Sequence, residues 1–104
     1  MANPYGGEVP LRVDGQLYDC KLTLGALMDL EQDLDAESLV DLVGRFEQQS
    51  FQAHDILRVI AAGLRAGGWN GTQSDLLTAD IDGGPMAAAR AAAQLLTLAF
   101  SVPD

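Results

Sequence analysis

Few side chains in this sequence could do chemistry. His54 is its one histidine and Cys20 its one cysteine. General acid–base work needs a titrating group with a partner that orients it, and a zinc site needs further ligands at suitable spacing. His54 has no helix-spaced second ligand, and Cys20 is distant in sequence. The place of His54 beside Asp55, where a helix is predicted to open, suits a surface or capping role. Cys20 alternates with Tyr18 and Leu22 along a predicted strand, so it reads as a small buried hydrophobe. A nucleophilic thiolate would need a base and an electropositive setting, which an acidic chain does not visibly supply. A lone cysteine also excludes an internal disulfide and fits a reducing compartment.

The acidic run Asp29, Glu31, Asp33, Asp35, Glu37 and Asp41 raises the question of calcium. Read from Asp33, the pattern D-x-D-x-E opens like an EF-hand loop. Ser38 then stands at the sixth position, where glycine is needed for the turn, and Gly44 at the twelfth, where a bidentate glutamate is needed. The run is therefore expected to be a solvated helix face and an acidic turn, with no metal bound. "GGWNGT" (residues 67–72) is glycine-rich, but it lacks a Lys-Ser/Thr ending and follows a helix, so it is no phosphate loop. Trp69 within it is expected to anchor the loop onto the core, with an exposed partner-binding anchor as the alternative. "AESLVDLV" (residues 36–43) superficially resembles the serine-bearing helix start of acyl carrier proteins. Glu37 stands where that family has aspartate, and a hairpin precedes the helices, so Ser38 is better explained as a helix-start residue. An acyl-carrier-like module remains a second alternative function. Intact mass after coexpression with a phosphopantetheinyl transferase decides it, and no mass gain is expected.

These residues need elements to hold them. The sequence has 104 residues, 48% of them hydrophobic and 20% charged, which allows one small folded domain with one core. Residues 1–7 read as a flexible N-terminal tail and 8–104 as a single small α+β domain. In "EVPLRVDGQLYDCKLT" the Asp14-Gly15 pair sits between two alternating segments, a strong hairpin signal. With those two as the loop, Leu11 faces Tyr18, Val9 faces Cys20, and Glu8 faces Lys21. Pro10 cannot donate a backbone hydrogen bond, so the first strand is predicted to be an edge.

Helices follow. Thr23 caps a first, from Leu24 to about Leu34, with Leu24, Leu27, Met28, Leu30 and Leu34 as its apolar positions. A second runs from about Glu37 to Gln48 with Leu39, Leu42, Val43 and Phe46 on one face. A third, about Ala53 to Ala66, has Leu57, Ile60, Ala61 and Leu64 as its stripe. Thr72 or Ser74 caps a short fourth that reaches about Ile81, and Pro85 opens a fifth. That fifth helix is apolar except for a narrow stripe of Arg90, Gln94, Thr97 and Ser101. It is expected to be the central helix, with one edge left for a partner. The fold class is thus α+β: an N-terminal β-hairpin followed by a bundle of four or five short helices.

Charge excludes several functions. Fifteen acidic residues against six basic ones give a net charge of -9, which repels nucleic acid and anionic membrane surfaces. The longest apolar stretch, residues 85–100, carries Arg90 and Gln94 and is too short for a membrane span of about 20 residues. No signal peptide is visible, so a cytoplasmic location is expected. With no catalytic constellation and no cofactor site, the chain reads as non-enzymatic, and its acidic helices, apolar last helix and glycine–tryptophan loop suit protein binding.

Four spaced segments carry a resemblance over nearly the whole chain: "NPYGGEVPLRVDGQ", "LTLGALMDLE", "AAGLRAGGW" and "GGPMAAARAAAQLL". They resemble the small tail proteins of alphaproteobacterial gene transfer agents, a family grouped with phage tail assembly chaperones and also labelled a tail tube protein. The resemblance implies a tail assembly chaperone in the bacterial producing cell, with the tape-measure protein and the tail tube protein as partners. It implies no catalytic residues. The alternative is a structural tail tube or neck subunit kept in the particle tail, and self-association is open in either case. For the chaperone, the partner-binding surface is expected along the fifth helix at Leu95, Leu98 and Phe100, with Trp69 as a further contact.

Overall fold

The computed structural model describes residues 8–34 and 38–100. The predicted tail over residues 1–7, Asp35 and Glu37 of the acidic run, and Ser101 of the polar stripe lie outside the described residues.

Turn chemistry sets the hairpin. Strands β1 (Val9–Val13) and β2 (Gln16–Cys20) pair antiparallel around Asp14 and Gly15. Those two residues have φ of 50° and 82°, the pair of positive values that a type I′ turn requires and whose twist matches the strands. The register is the one expected: Val9 lies opposite Cys20 and Leu11 opposite Tyr18, and Lys21 Nζ is 3.7 Å from Glu8 Oε2. Val9, Leu11, Val13 and Cys20 are buried. In a two-residue hairpin the pair flanking the turn is hydrogen-bonded and pairs alternate from there. Pro10 therefore falls where an N–H would point away from β2, and its lack of one costs the ladder nothing.

The outer edge of β1 is covered further along. Asp14 N–H donates to the Asp80 carbonyl (2.8 Å), and Asp82 N–H donates to the Arg12 carbonyl (3.1 Å). Ile81 forms an antiparallel bridge with Val13. The fourth helix consequently does not reach Ile81. It stops at Leu76, because residues 80–82 are extended and bonded to the hairpin.

Five helices follow the hairpin: α1 (Leu24–Asp33), α2 (Leu39–Glu47), α3 (Ala53–Ala66), α4 (Gln73–Leu76) and α5 (Gly84–Phe100). Their starts follow from local side-chain bonding. Ala26 N–H donates to Thr23 Oγ1 at 3.1 Å. At α2, Asp41 N–H donates to Ser38 Oγ (3.2 Å) and Ser38 N–H returns to Asp41 Oδ2 (3.3 Å), a capping box. Thr72 and Asp75 repeat it at α4. The end of α3 is a Schellman motif: Gly68 at φ 102° takes the left-handed position, Gly68 N–H donates to Arg65 O, and Trp69 N–H donates to Leu64 O at 2.9 Å.

The core runs through α3, and this corrects the expectation that the fifth helix is central. Six consecutive residues, Val59 to Leu64, are buried, and α3 packs against α1, α4, α5 and β2. Periodicity understated it because Ala61, Ala62 and Gly63 carry little hydrophobic signal, yet they are the residues that let neighbours come close. A Cβ on Gly63 would lie 2.9 Å from Leu95 Cδ1 and 3.3 Å from Cys20 Cβ. One on Gly67 would overlap the Asp19 carbonyl oxygen. By contrast, α5 buries one face through Ala88, Ala91, Ala92, Leu95 and Leu96 and leaves Arg90, Gln94 and Thr97 exposed. On α1 the core positions are Ala26 and Leu30, with Leu34 just beyond. Leu24 and Met28, expected inside, are 81% and 64% exposed. They lie on the side of a short helix turned away from α3, its main packing partner.

A buried charge joins α2 to α3. Asp55 is 4% exposed. Its carboxylate accepts from Arg45 Nε (3.0 Å) and Nη2 (2.8 Å) and from the backbone N–H of Gln52 (2.9 Å), and Arg58 Nη1 lies 3.8 Å away. Stacked rings of Phe46 and Phe51, centroids 4.6 Å apart, close the same junction. Burial alone would raise the Asp55 pKa. The hydrogen bonds from Arg45 and Gln52 and the charges of Arg45 and Arg58 outweigh it and hold the carboxyl below its usual value. A lowered folded-state pKa stabilises the fold above the unfolded value, about 3.9 for an aspartate, and that contribution is lost as pH falls through the folded value. Asp55→Asn is therefore expected to cost about 2 kcal/mol at neutral pH. That is less than for a fully buried pair, since the Arg45 side chain stays 24% exposed. Urea unfolding of both proteins from pH 7 down to about pH 3 should show the two stabilities converging at the acid end.

Candidate functional site

An open apolar groove of about 460 Å³ lies between α3, α4 and the start of α5. Ala53, Ile56, Leu57 and Ile60 form the α3 side; Leu76 and Leu77 form the α4 wall; Ile81, Pro85 and Ala88 close the far end. His54 is its single polar lining residue. Local sequence explains why it stays open. The Thr72–Asp75 box starts a helix of only four residues, too short for both leucines to turn inward. Leu76 goes into the core and Leu77 is left 70% exposed. Met86, 71% exposed, follows Pro85 at the same end.

A smaller hollow of about 280 Å³ lies between α2 and the C-terminal half of α5. Val43, Phe46, Leu96 and Phe100 line it, with Glu47 and Thr97 at its polar side. A third hollow is polar and is built on the Arg45–Asp55–Arg58 network with Gln52 and His54.

The residues singled out in the sequence do not converge on one site. Leu95 is buried in the core at 1% exposure and sits over Gly63, so it presents no surface to a partner in the folded chain. Leu98 is half-buried against the core, and Phe100 is 42% exposed beside the smaller hollow. Trp69 packs against the core, its ring over Gly71, held by the Schellman bonds at the end of α3. His54 is exposed at the start of α3, on the rim of the large groove. Cys20 is fully buried; burial and then the charge of Asp19 push its pKa up to about 12, so its thiol stays protonated and unreactive. The hydroxyl of Ser38 serves as the α2 cap. Among the described residues no group of three or more His, Cys, Asp or Glu is placed to hold a metal ion, and no helix is long and apolar enough to cross a membrane.

What the sequence reading missed is the groove's own lining: Ile56, Leu57, Leu77, Ile81 and Pro85. Part of the signal was there. Ile56 and Leu57 widen the apolar arc of α3 beyond what one buried face uses, and the Leu76-Leu77 pair on so short a helix leaves one leucine over.

Comparison with known families supplies the biological setting. A family model described as phage tail tube protein, GTA-gp10, matches residues 6–102. The chain belongs to this family. No curated protein and no solved structure matches it. Membership in the GTA-gp10 family gives the chain a structural or assembly role in a phage-type tail, and this is not a family of known enzymes.

Burial separates support from surface among the leucines of the site. Leu95→Ala is expected to cost about 2–5 kcal/mol, as a cavity opened in a close-packed core does. Leu77→Ala should stay within about 0.5 kcal/mol of the parent. Chemical unfolding monitored by circular dichroism measures both.

Proposed function

We propose that the protein is a non-enzymatic tail assembly chaperone that binds the tape-measure protein and assists tail tube assembly. The observation that carries this reading is the open apolar groove between α3, α4 and α5, in a domain whose net charge is -9. A holding protein must offer apolar surface to a client while remaining dispersed itself. The groove supplies the first, and the acidic surface opposes self-collapse. The acidic side chains on α1, namely Asp29, Glu31 and Asp33, are exposed, away from the groove lining.

A second reading is favoured by the family's description as a tail tube protein: a structural subunit retained in the particle, where copies of the chain would contact one another. Strand addition is a common route to such contacts, and here the turn end of β1 is bonded on its outer side to residues 80–82. That weighs toward the chaperone. On this reading the protein acts in the cytoplasm of the producing cell and leaves before the particle matures.

Quantitative mass spectrometry distinguishes the two. Normalised to the major tail tube protein, the chain should be abundant in producing-cell lysate, should crosslink there to the tape-measure protein, and should be depleted from purified particles. A fixed stoichiometry in particles would establish the structural subunit instead.

A further inference from the structure

We propose that the groove takes an amphipathic helix with a basic polar face, and not an extended segment; this deepens the chaperone reading and rests on it for the client's identity. The first argument is backbone hydrogen bonding. An extended segment laid into a groove must find partners for its own N–H and C=O groups, or bury them unpaired at a cost. This groove has few to give. Its walls are helix side chains, apolar except for His54. In the one non-helical wall, residues 80–82, most backbone groups are already bonded: the Asp80 carbonyl accepts from Asp14, Asp80 N–H donates to Asp14 Oδ1 (2.9 Å), Asp82 N–H donates to the Arg12 carbonyl, and the Ile81 carbonyl accepts from Gly84 N–H (2.8 Å). A helix brings its own backbone pairing. It needs only apolar side chains at positions i, i+3 or i+4, and i+7, which make one stripe over about two turns.

The second argument is charge. The apolar wall residues Leu76, Leu77 and Ile81 are interleaved with exposed carboxylates at Asp75, Asp80 and Asp82. Arg12 Nε, 3.4 Å from Asp82, offsets one of them in part from the hairpin side. Arg90 lines one hollow with Arg12 and Asp82 and offsets that carboxylate further, so Asp75 and Asp80 carry the charge of the rim. The rim on the α4 side is therefore net negative. A client helix seated on Leu77 would bring its polar face to that rim, where lysine or arginine is attracted and aspartate or glutamate repelled. Lysine and arginine also lay their aliphatic stems on apolar surface while the charge reaches water.

The test uses the whole chain and a set of fluorescently labelled peptides of about 16 residues, designed to be helical with one leucine stripe. One peptide carries lysines on the polar face, and one carries glutamates there. The third has the lysine peptide's composition with the leucines moved off the stripe. Anisotropy titrations at about 50 mM salt should show the lysine peptide binding at least about tenfold more tightly than either of the others. Leu77→Asp should weaken the lysine peptide by about tenfold or more, although it adds negative charge. Leu77→Asn, which adds none, should weaken it too. Leu24→Asp makes the same charge change on exposed α1 and should leave binding within about twofold.

Equal binding by the leucine-scrambled or the glutamate peptide would overturn the inference, and so would undiminished binding by Leu77→Asp, since bulk charge would then be the whole attraction. If the peptide results hold but the tape-measure protein fails to crosslink in lysate, the groove's preference stands and the tape-measure reading falls.

Discussion

Three elements meet at Gly63, and the fold depends on that residue having no side chain. Leu95 of α5 and Cys20 of β2 occupy the space a Cβ would take, and Lys21 N–H donates to the Gly63 carbonyl at 3.3 Å. One turn later Gly67 comes closer still to the Asp19 carbonyl. These approaches draw hairpin, central helix and last helix into one core. Each large side chain buried there, such as Leu64 or Ile60, contributes about 1.5–3 kcal/mol relative to exposure. The alanines at 61, 62, 88, 91 and 92 do for the helix faces what the glycines do at the crossing: they trade bulk for proximity.

Acidic residues in this chain have two separate uses. Asp41, Asp55 and Asp75 each bond the backbone N–H three residues earlier, so three helix starts are built on carboxylates. Negative charge near a helix N-terminus is favourable in its own right. Asp55 then also binds Arg45 across the α2–α3 junction. Others, on α1 and on the connection between α4 and α5, stay in water and set the sign of the surface there. A composition of 15 acids against six bases therefore does not translate into a uniformly negative shell.

The hairpin and the bounds of α3 were legible in the sequence because the information is local. Asp-Gly between alternating strands specifies both turn and register, and the run from Ala53 ends at a glycine pair. The order of importance among the helices was not legible. Small residues carry the closest packing but the weakest hydrophobic signal, so α5, rich in leucine and alanine, looked more central than α3. Leu95 was misplaced for the same reason: nothing near it in sequence reveals that Gly63 leaves a space for it. The α1 pattern admitted two faces, and only the position of α3 shows that Leu24 and Met28 face water. The groove lay further out of reach, since its walls come from segments that residues 80–82 bring together by pairing with residues 12–14, a contact spanning 66 positions.

That pairing bears on how the groove meets whatever enters it. Ile81 stands at the groove's end, and its flanking residues are tied to the hairpin by two backbone hydrogen bonds, a bond from Asp80 N–H to the Asp14 carboxylate and the Arg12–Asp82 ion pair. The far wall is thus fixed by folding itself. It does not wait for a visitor to shape it. The conformational entropy of ordering that segment is lost when the domain forms, so the free energy of association is not spent on it again. The cost of docking then falls mainly on the incoming chain, which gives up its own disorder to a surface already in place.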